Sequence, residues 1–172
     1  MNQEKNLTIQ ETFNLAVKNH REDKIDFAQE LYNQVLKIDP NHLGTLNNLG
    51  VIFKDLGEHQ KAKDCYKKII EINSNYTNAY FNLGILFQQL DNNKKAKDCY
   101  ENAIILNPTH KEAHYNLGNI FNTLGEEQKA KNCYEKAIEI DPNYAKAHYN
   151  CGIIFQELGE EQKAKNCYEK VI

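Results

Sequence analysis

The segment TNAYFNLGILFQQLDNNKKAKDCYENAIILNPTH, residues 77–110, decides the fold, because the stretches around it are variations on it. Its pair Cys99-Tyr100 recurs as Cys65-Tyr66, Cys133-Tyr134 and Cys167-Tyr168, each copy 34 residues from the last. A fixed period of that length signals stacked copies of one supersecondary unit rather than a single globular core. Such a stack has no deep catalytic pocket of its own. Its long repeated face suits the holding of another chain.

Within the segment, Tyr80, Leu83, Gly84, Phe87 and Leu90 fall on one stripe of an α-helix. After Asp91-Asn92-Asn93 a second stripe follows: Ala96, Tyr100, Ala103 and Ile104. In other copies the break is Gly57, Gly125 or Gly159, a residue suited to the left-handed conformation that ends a helix. The second helix is expected to stop at Asp39-Pro40, Asn107-Pro108 and Asp141-Pro142, because proline disfavours helix in the residue before it. The fold class read from this pattern is all-α, a solenoid of helix-turn-helix repeats. The expected layout is a polar N-terminal tail 1–8, a divergent capping repeat 9–42, repeats 43–76, 77–110 and 111–144, and a truncated repeat 145–172.

Two small-residue columns let paired helices approach. The first helix carries Ala16, Gly50, Gly84, Gly118 and Gly152, and the second Ala28, Ala62, Ala96, Ala130 and Ala164. Phe53, Phe87, Phe121 and Phe155 are expected to fill the flanks with the tyrosines of the Cys-Tyr pairs.

Composition bounds the function. The chain has 172 residues, 41% apolar and 26% charged, with a net charge of −3 from interspersed signs. Nothing in it marks a nucleic-acid footprint or a basic membrane face. No stretch approaches the roughly 20 apolar residues needed to span a bilayer. Met1 to Gln10 is polar and carries no signal-peptide core, so the expected compartment is the cytoplasm. The five cysteines read as thiols. Four share one column, packed helices sit roughly 8–10 Å apart, and a disulfide needs Cα atoms within about 7 Å.

The pattern resembles the tetratricopeptide repeat. The residues that carry it are Tyr80, Leu83-Gly84, Phe87, Ala96, Tyr100 and Pro108, and in the next copy His114, Leu117-Gly118, Phe121, Ala130, Tyr134 and Pro142. Departures are local: Cys151 replaces leucine, Ser74 replaces proline, and His114 or His148 replaces the large aromatic. The resemblance implies a right-handed superhelix whose concave groove binds peptides or extended segments. The second half of the opening repeat, residues 28–42, also resembles openings of repeat arrays fused to SPINDLY-like glycosyltransferases and to sulfotransferases. An alternative reading follows, in which the chain is a substrate-recruiting fragment of a larger transferase.

An asparagine stands in the same first-helix column of every repeat: Asn14, Asn48, Asn82, Asn116 and Asn150. Phe81, Ile85, Tyr115, Asn119, Tyr149 and Ile153 neighbour it, and Lys54 is one of the few cations on that side. The phrase Asn-Leu-Gly at Asn48, Asn82 and Asn116 resembles the asparagine ladder of O-GlcNAc transferase repeats. An amide has both a donor and an acceptor, matching the peptide group. Spaced roughly 10 Å apart, successive amides would meet an extended guest about every third residue. A second reading stands beside it, in which these amides bond neighbouring helices and stabilise the stack. The lysines that the family's chaperone-tail clamp needs are not matched in this chain, where those places hold Phe13, Val17, Asn78 and Asn82.

The ends differ from the middle. Asn19 takes a phenylalanine position and Glu22-Asp23 a Leu-Gly position, as expected of a cap facing water. Tyr168, Val171 and Ile172 are expected to leave an uncapped apolar C-terminal face, with self-association through it. No catalytic residue, cofactor or metal site is expected. His110 and His114 stand at i and i+4, but Glu112 is not at the second place of a zinc-protease motif, and His148 with Cys151 falls in packing columns. The partner is expected to be a protein or peptide, with no nucleic acid and no membrane.

Overall fold

The structure, a computed structural model, describes residues 7–171; the polar start of the chain at 1–6 and Ile172 lie outside the described residues. Ten helices and no strand occur among the described residues. The first helices of successive hairpins are α1 (Ile9–Arg21), α3 (Leu43–Asp55), α5 (Thr77–Gln89), α7 (Lys111–Thr123) and α9 (Ala145–Glu157). Their partners are α2 (Ile25–Ile38), α4 (His59–Ile72), α6 (Asn93–Leu106), α8 (Glu127–Ile140) and the short α10 (Glu161–Tyr168).

Local chemistry sets the boundaries. Thr8 opens α1 with a capping box: its hydroxyl accepts from the Glu11 N–H at 3.2 Å, and the Glu11 carboxylate accepts from the Thr8 N–H at 2.8 Å. Gly57, Gly125 and Gly159 turn the chain at φ of +75°, +72° and +72°, while Asp23 and Asp91 take the same left-handed region at +59° and +54°. Between hairpins, Asp39, Asn73, Asn107 and Asp141 each accept a backbone N–H two residues on at 3.0–3.2 Å, which folds the connection into an Asx turn.

The chain divides into two compact units, residues 1–82 and 83–172. In the first, α1 packs on α2, α2 on α3 and α3 on α4; the second runs likewise from α6 to α10. These packings join helices adjacent in the chain, and among the described residues hydrogen bonds reach beyond them only from the first helix of one hairpin to that of the next. This is the contact pattern of a stack rather than of a bundle closed around one core.

The small-residue columns are close approaches of ring to backbone. A Cβ on Gly50, Gly84, Gly118 or Gly152 would lie 2.5–2.6 Å from the ring of Tyr66, Tyr100, Tyr134 or Tyr168 respectively. Ala28, Ala62, Ala96 and Ala130 are fully buried on the partner helix. The phenylalanines lie under lysine ammonium groups. Lys61 sits 5.2 Å over Phe53, Lys95 5.4 Å over Phe87, Lys129 5.4 Å over Phe121 and Lys163 5.3 Å over Phe155. Lys97 and Lys131 add a second cation to Phe121 and Phe155. Three of these ammonium groups also pair with Glu58, Glu126 and Glu160.

One expectation about the first hairpin is corrected. Asn19 does not face water: it is buried, and its amide donates to the Leu15 carbonyl at 2.8 Å. An amide satisfied by its own helix replaces phenylalanine there, while Glu22 and Asp23 remain exposed.

The thiols are unpaired and embedded in packing. Burial pushes Cys65 and Cys133 up to about 11 and Cys99 and Cys151 up to about 12, far from a reactive thiolate. His114 and His148 are buried too, their Nε2–H groups donating to the carbonyls of Pro108 and Pro142 at 3.0 and 2.9 Å.

Candidate functional site

Four of the column's asparagines donate an amide hydrogen to the preceding hairpin. Asn48 donates to the Tyr32 hydroxyl at 2.9 Å, and Asn116 to the Tyr100 hydroxyl at 3.4 Å. Asn82 donates to Asn47 Oδ1 at 3.0 Å. Asn150 contacts Asn119 Oδ1 at 2.9 Å and the Tyr115 hydroxyl at 3.4 Å. Asn14, in the first hairpin, instead accepts from Gln10 at 2.9 Å.

Two kinds of bond alternate, and sequence explains the alternation. The partner 35 residues back is used when that residue is polar, as Asn47 is for Asn82 and Tyr115 for Asn150, whose shorter bond goes to Asn119. Where the residue 35 back is Phe13 or Phe81, the amide turns to the tyrosine hydroxyl 16 residues back. A buried amide takes whichever polar partner lies in reach, because leaving it unmade costs more than the bond gains.

The carbonyl ends are different. Among the described residues, Oδ1 of Asn82, Asn116 and Asn150 accepts no protein hydrogen bond, although all three side chains are only half-buried. Each is an oriented acceptor on a partly open face.

The remaining candidates divide between packing and exposure. Asn119 is bonded most heavily, since its Oδ1 accepts from both the Tyr134 hydroxyl and Asn150 at 2.9 Å. The Tyr115 ring packs 5.8 Å from Tyr134 and 5.4 Å from Tyr144. Tyr149 is 53% exposed, its ring 6.1 Å from Tyr168. Phe81, Ile85 and Ile153 are half-buried. Lys54 is largely covered and pairs with Asp55 at 2.5 Å.

Sequence reasoning missed the groups that receive these bonds. Gln88 and Gln156 accept the hydroxyl protons of Tyr100 and Tyr168 at 2.8 and 3.1 Å. Both stand twelve residues before their tyrosine, in the column that also holds Lys54, so the period itself carried the signal. Burial pushes the phenols upward, Tyr134 to about 12, so at neutral pH each remains a proton donor.

No helix among the described residues is long and apolar enough to cross a membrane. The face offers neutral amides, hydroxyls and aromatic edges, a set that binds polar backbone and apolar side chains and lacks a nucleophile with its base.

Comparisons with known proteins agree with the fold. Family models for the tetratricopeptide repeat match residues 45–76 and 77–110, and further repeat models of the same kind match 99–132 and 118–159. No curated protein matches significantly. Among solved structures, MamA is 31% identical with a TM-score of 0.78, each chain covered over 91% of its length. PilF of Pseudomonas aeruginosa reaches a TM-score of 0.88 at 19% identity, over 95% of this chain and 74% of that one. YrrB, described as a tetratricopeptide protein with an unusual peptide-binding site, has a TM-score of 0.72 at 22% identity, over 96% of this chain and 85% of that one. A likeness to glycosyltransferase repeats does not enter these findings. Period, hairpin geometry and matched repeats converge, and the chain belongs to the tetratricopeptide repeat family.

Proposed function

We propose that the chain is a non-catalytic interaction scaffold whose asparagine-bearing faces hold an extended protein segment. The observation that carries this reading is the polarity of the column. The amide ends of Asn82, Asn116 and Asn150 are tied back to the protein, while their carbonyl oxygens are left oriented and without a protein donor. An acceptor held in place this way meets a guest backbone N–H at little entropic cost. Ile85, Ile153 and Tyr149 then receive side chains. The column both braces the stack and receives the guest, which joins the two readings of the sequence. YrrB's description as peptide-binding supports the same class of partner.

The five unpaired thiols fit a reducing compartment, and the cytoplasm is the proposed one. Self-association is a second proposal, favoured by the open cleft of about 490 Å³ that Gly159, Ala164, Lys165 and Tyr168 line at the α9–α10 end. Light scattering that shows one mass at every concentration would remove it.

The test of the main reading uses a library of capped nine-residue peptides retained on the immobilised protein. Removing the acceptors in the double variant Asn82→Ala, Asn116→Ala should weaken retained peptides by about 0.5–1.5 kcal/mol per lost bond. Equal retention by both proteins would refute the reading.

A further inference from the structure

The asparagine column changes character in the first hairpin. Asn82, Asn116 and Asn150 tie back their amide ends and present an oxygen. Asn14 does the opposite: its oxygen accepts from Gln10 at 2.9 Å, which leaves its amide hydrogens unbonded among the described residues. A column of acceptors thus gives way to a donor.

That donor borders an open pocket of about 500 Å³ lined by Asn14, Val17, Lys18, Arg21 and Glu22. Val17 shares its column with Val51, Ile85, Asn119 and Ile153, so the pocket lies on the face that carries the guest-binding columns. Arg21 is the chain's only arginine. It is exposed, and among the described residues it makes no ion pair and no side-chain hydrogen bond. Lys18 is 70% exposed and reaches Glu22 only at 3.9 Å. Glu22, the one acid in the lining, is held at 2.7 Å by Lys24, whose bond keeps its carboxyl below the ordinary value. Nor are these cations engaged in closing the helix. The carbonyls of Lys18, Asn19 and His20 already accept backbone N–H groups from Glu22, Asp23 and Lys24 at 2.9–3.2 Å. Two cations and an amide therefore border one cavity without an acceptor of their own. Burial raises the Tyr32 phenol, while the bond from Asn48 and the charge of Arg21 act against that rise, so Arg21 lies within electrostatic reach of the hydroxyl that anchors Asn48.

We propose that Asn14, Lys18 and Arg21 form a site for a carboxylate of the guest segment. The proposal rests on the scaffold reading and adds a sequence preference to it. A guanidinium fork bonds both oxygens of a carboxylate at once. The Lys18 ammonium adds charge, the Asn14 amide adds a neutral donor, and Val17 receives the adjoining methylenes. A guest amide would give Arg21 one acceptor in place of two, and a basic guest would be repelled. The carboxylate is that of an Asp or Glu side chain or of a C-terminus, since both present the same pair of oxygens.

The experiment uses the full chain, immobilised, and two libraries of acetylated nine-residue peptides, one amidated and the other with a free C-terminus. In each, one position at a time is fixed as Asp, Glu, Asn, Gln, phosphoserine or Lys. Wild type should enrich Asp or Glu over Asn or Gln at one position, or free over amidated ends at matched sequence. The library that responds identifies the source of the carboxylate. Arg21→Gln should lower that acid-over-neutral ratio about tenfold, and Lys18→Gln should lower it less. Glu22→Gln should raise it, because a competing carboxylate is removed. Added salt should reduce the ratio in wild type and leave it nearly constant in Arg21→Gln. Arg21 has no bond to lose in the folded chain, so the melting curve of Arg21→Gln should overlay that of wild type. A ratio equal in wild type and Arg21→Gln would overturn the proposal, as would peptides retained with no acidic preference in either library; both outcomes leave the scaffold reading intact. Phosphoserine enriched with no response to Asp, Glu or a free end would overturn the carboxylate assignment. No peptide retained at all would overturn the proposal and the scaffold reading together.

Discussion

Gly118 and Gly125, on the same hairpin, show how one residue type serves two physical needs. Gly118 has ordinary helical backbone, but a Cβ there would lie 2.6 Å and 2.8 Å from two carbons of the Tyr134 ring. Gly125 has open space around it and a φ of +72°. Gly118→Ala should therefore overpack, at about 1–3 kcal/mol. Gly125→Ala should lose about 1–2 kcal/mol through backbone strain. Chemical denaturation measures both, and a second substitution separates them. Tyr134→Leu removes the ring, so it should relieve the first variant and leave the second unchanged. Both glycines were legible from the period, and so was their difference, one falling mid-stripe and the other at a helix end. What the sequence could not convey at this scale was Asn19, a polar residue in an aromatic column that folds its amide back on its own helix.

Between elements, Asn119 is the clearest case of a residue that column statistics misread. Its column reads Val17, Val51, Ile85, Asn119 and Ile153, so restoring an aliphatic residue looks like an improvement. The structure argues the reverse, because one carbonyl oxygen on α7 receives both the Tyr134 hydroxyl of α8 and the Asn150 amide of α9. Asn119→Val should leave the buried Tyr134 hydroxyl and the half-buried Asn150 amide short of an acceptor and destabilise by about 1–3 kcal/mol. Combined with Asn150→Ala the loss should fall below the sum, as partners in one network do. Thermal melts of the three variants check this, and additive losses would show that the bonds are independent. The helices and their stops were readable because periodicity and turn chemistry are local. The hydrogen-bond partners of the asparagine column were not. They depend on whether the residue 35 back is polar, and that is a property of two repeats at once.

Across the whole molecule, repetition multiplies one titration into a pH response. Unfolded thiols and phenols release protons near their ordinary values of 9.0 and 10.0. Burial raises the same groups in the folded chain: Cys65 and Cys133 to about 11, Cys99, Cys151 and Tyr134 to about 12, with Tyr66 and Tyr100 shifted upward as well. Above the unfolded values the unfolded state holds fewer protons than the folded one, so stability falls as pH rises. The stabilisation is complete below about pH 9 and is lost progressively towards about pH 12. Carboxylates contribute little to this window, since groups such as Asp141 beside Lys111 are ionised throughout it. Denaturant midpoints measured from about pH 7.5 to about pH 10.5 should therefore drop steeply on the alkaline side. Tyrosinate absorbance from the buried phenols should rise together with loss of helix, because Tyr66, Tyr100 and Tyr134 are uncovered only on unfolding. If these three phenols titrate near their ordinary value while the helices persist, the rings are not packed against the glycine column, and the close pairing of helices within each hairpin loses its physical basis.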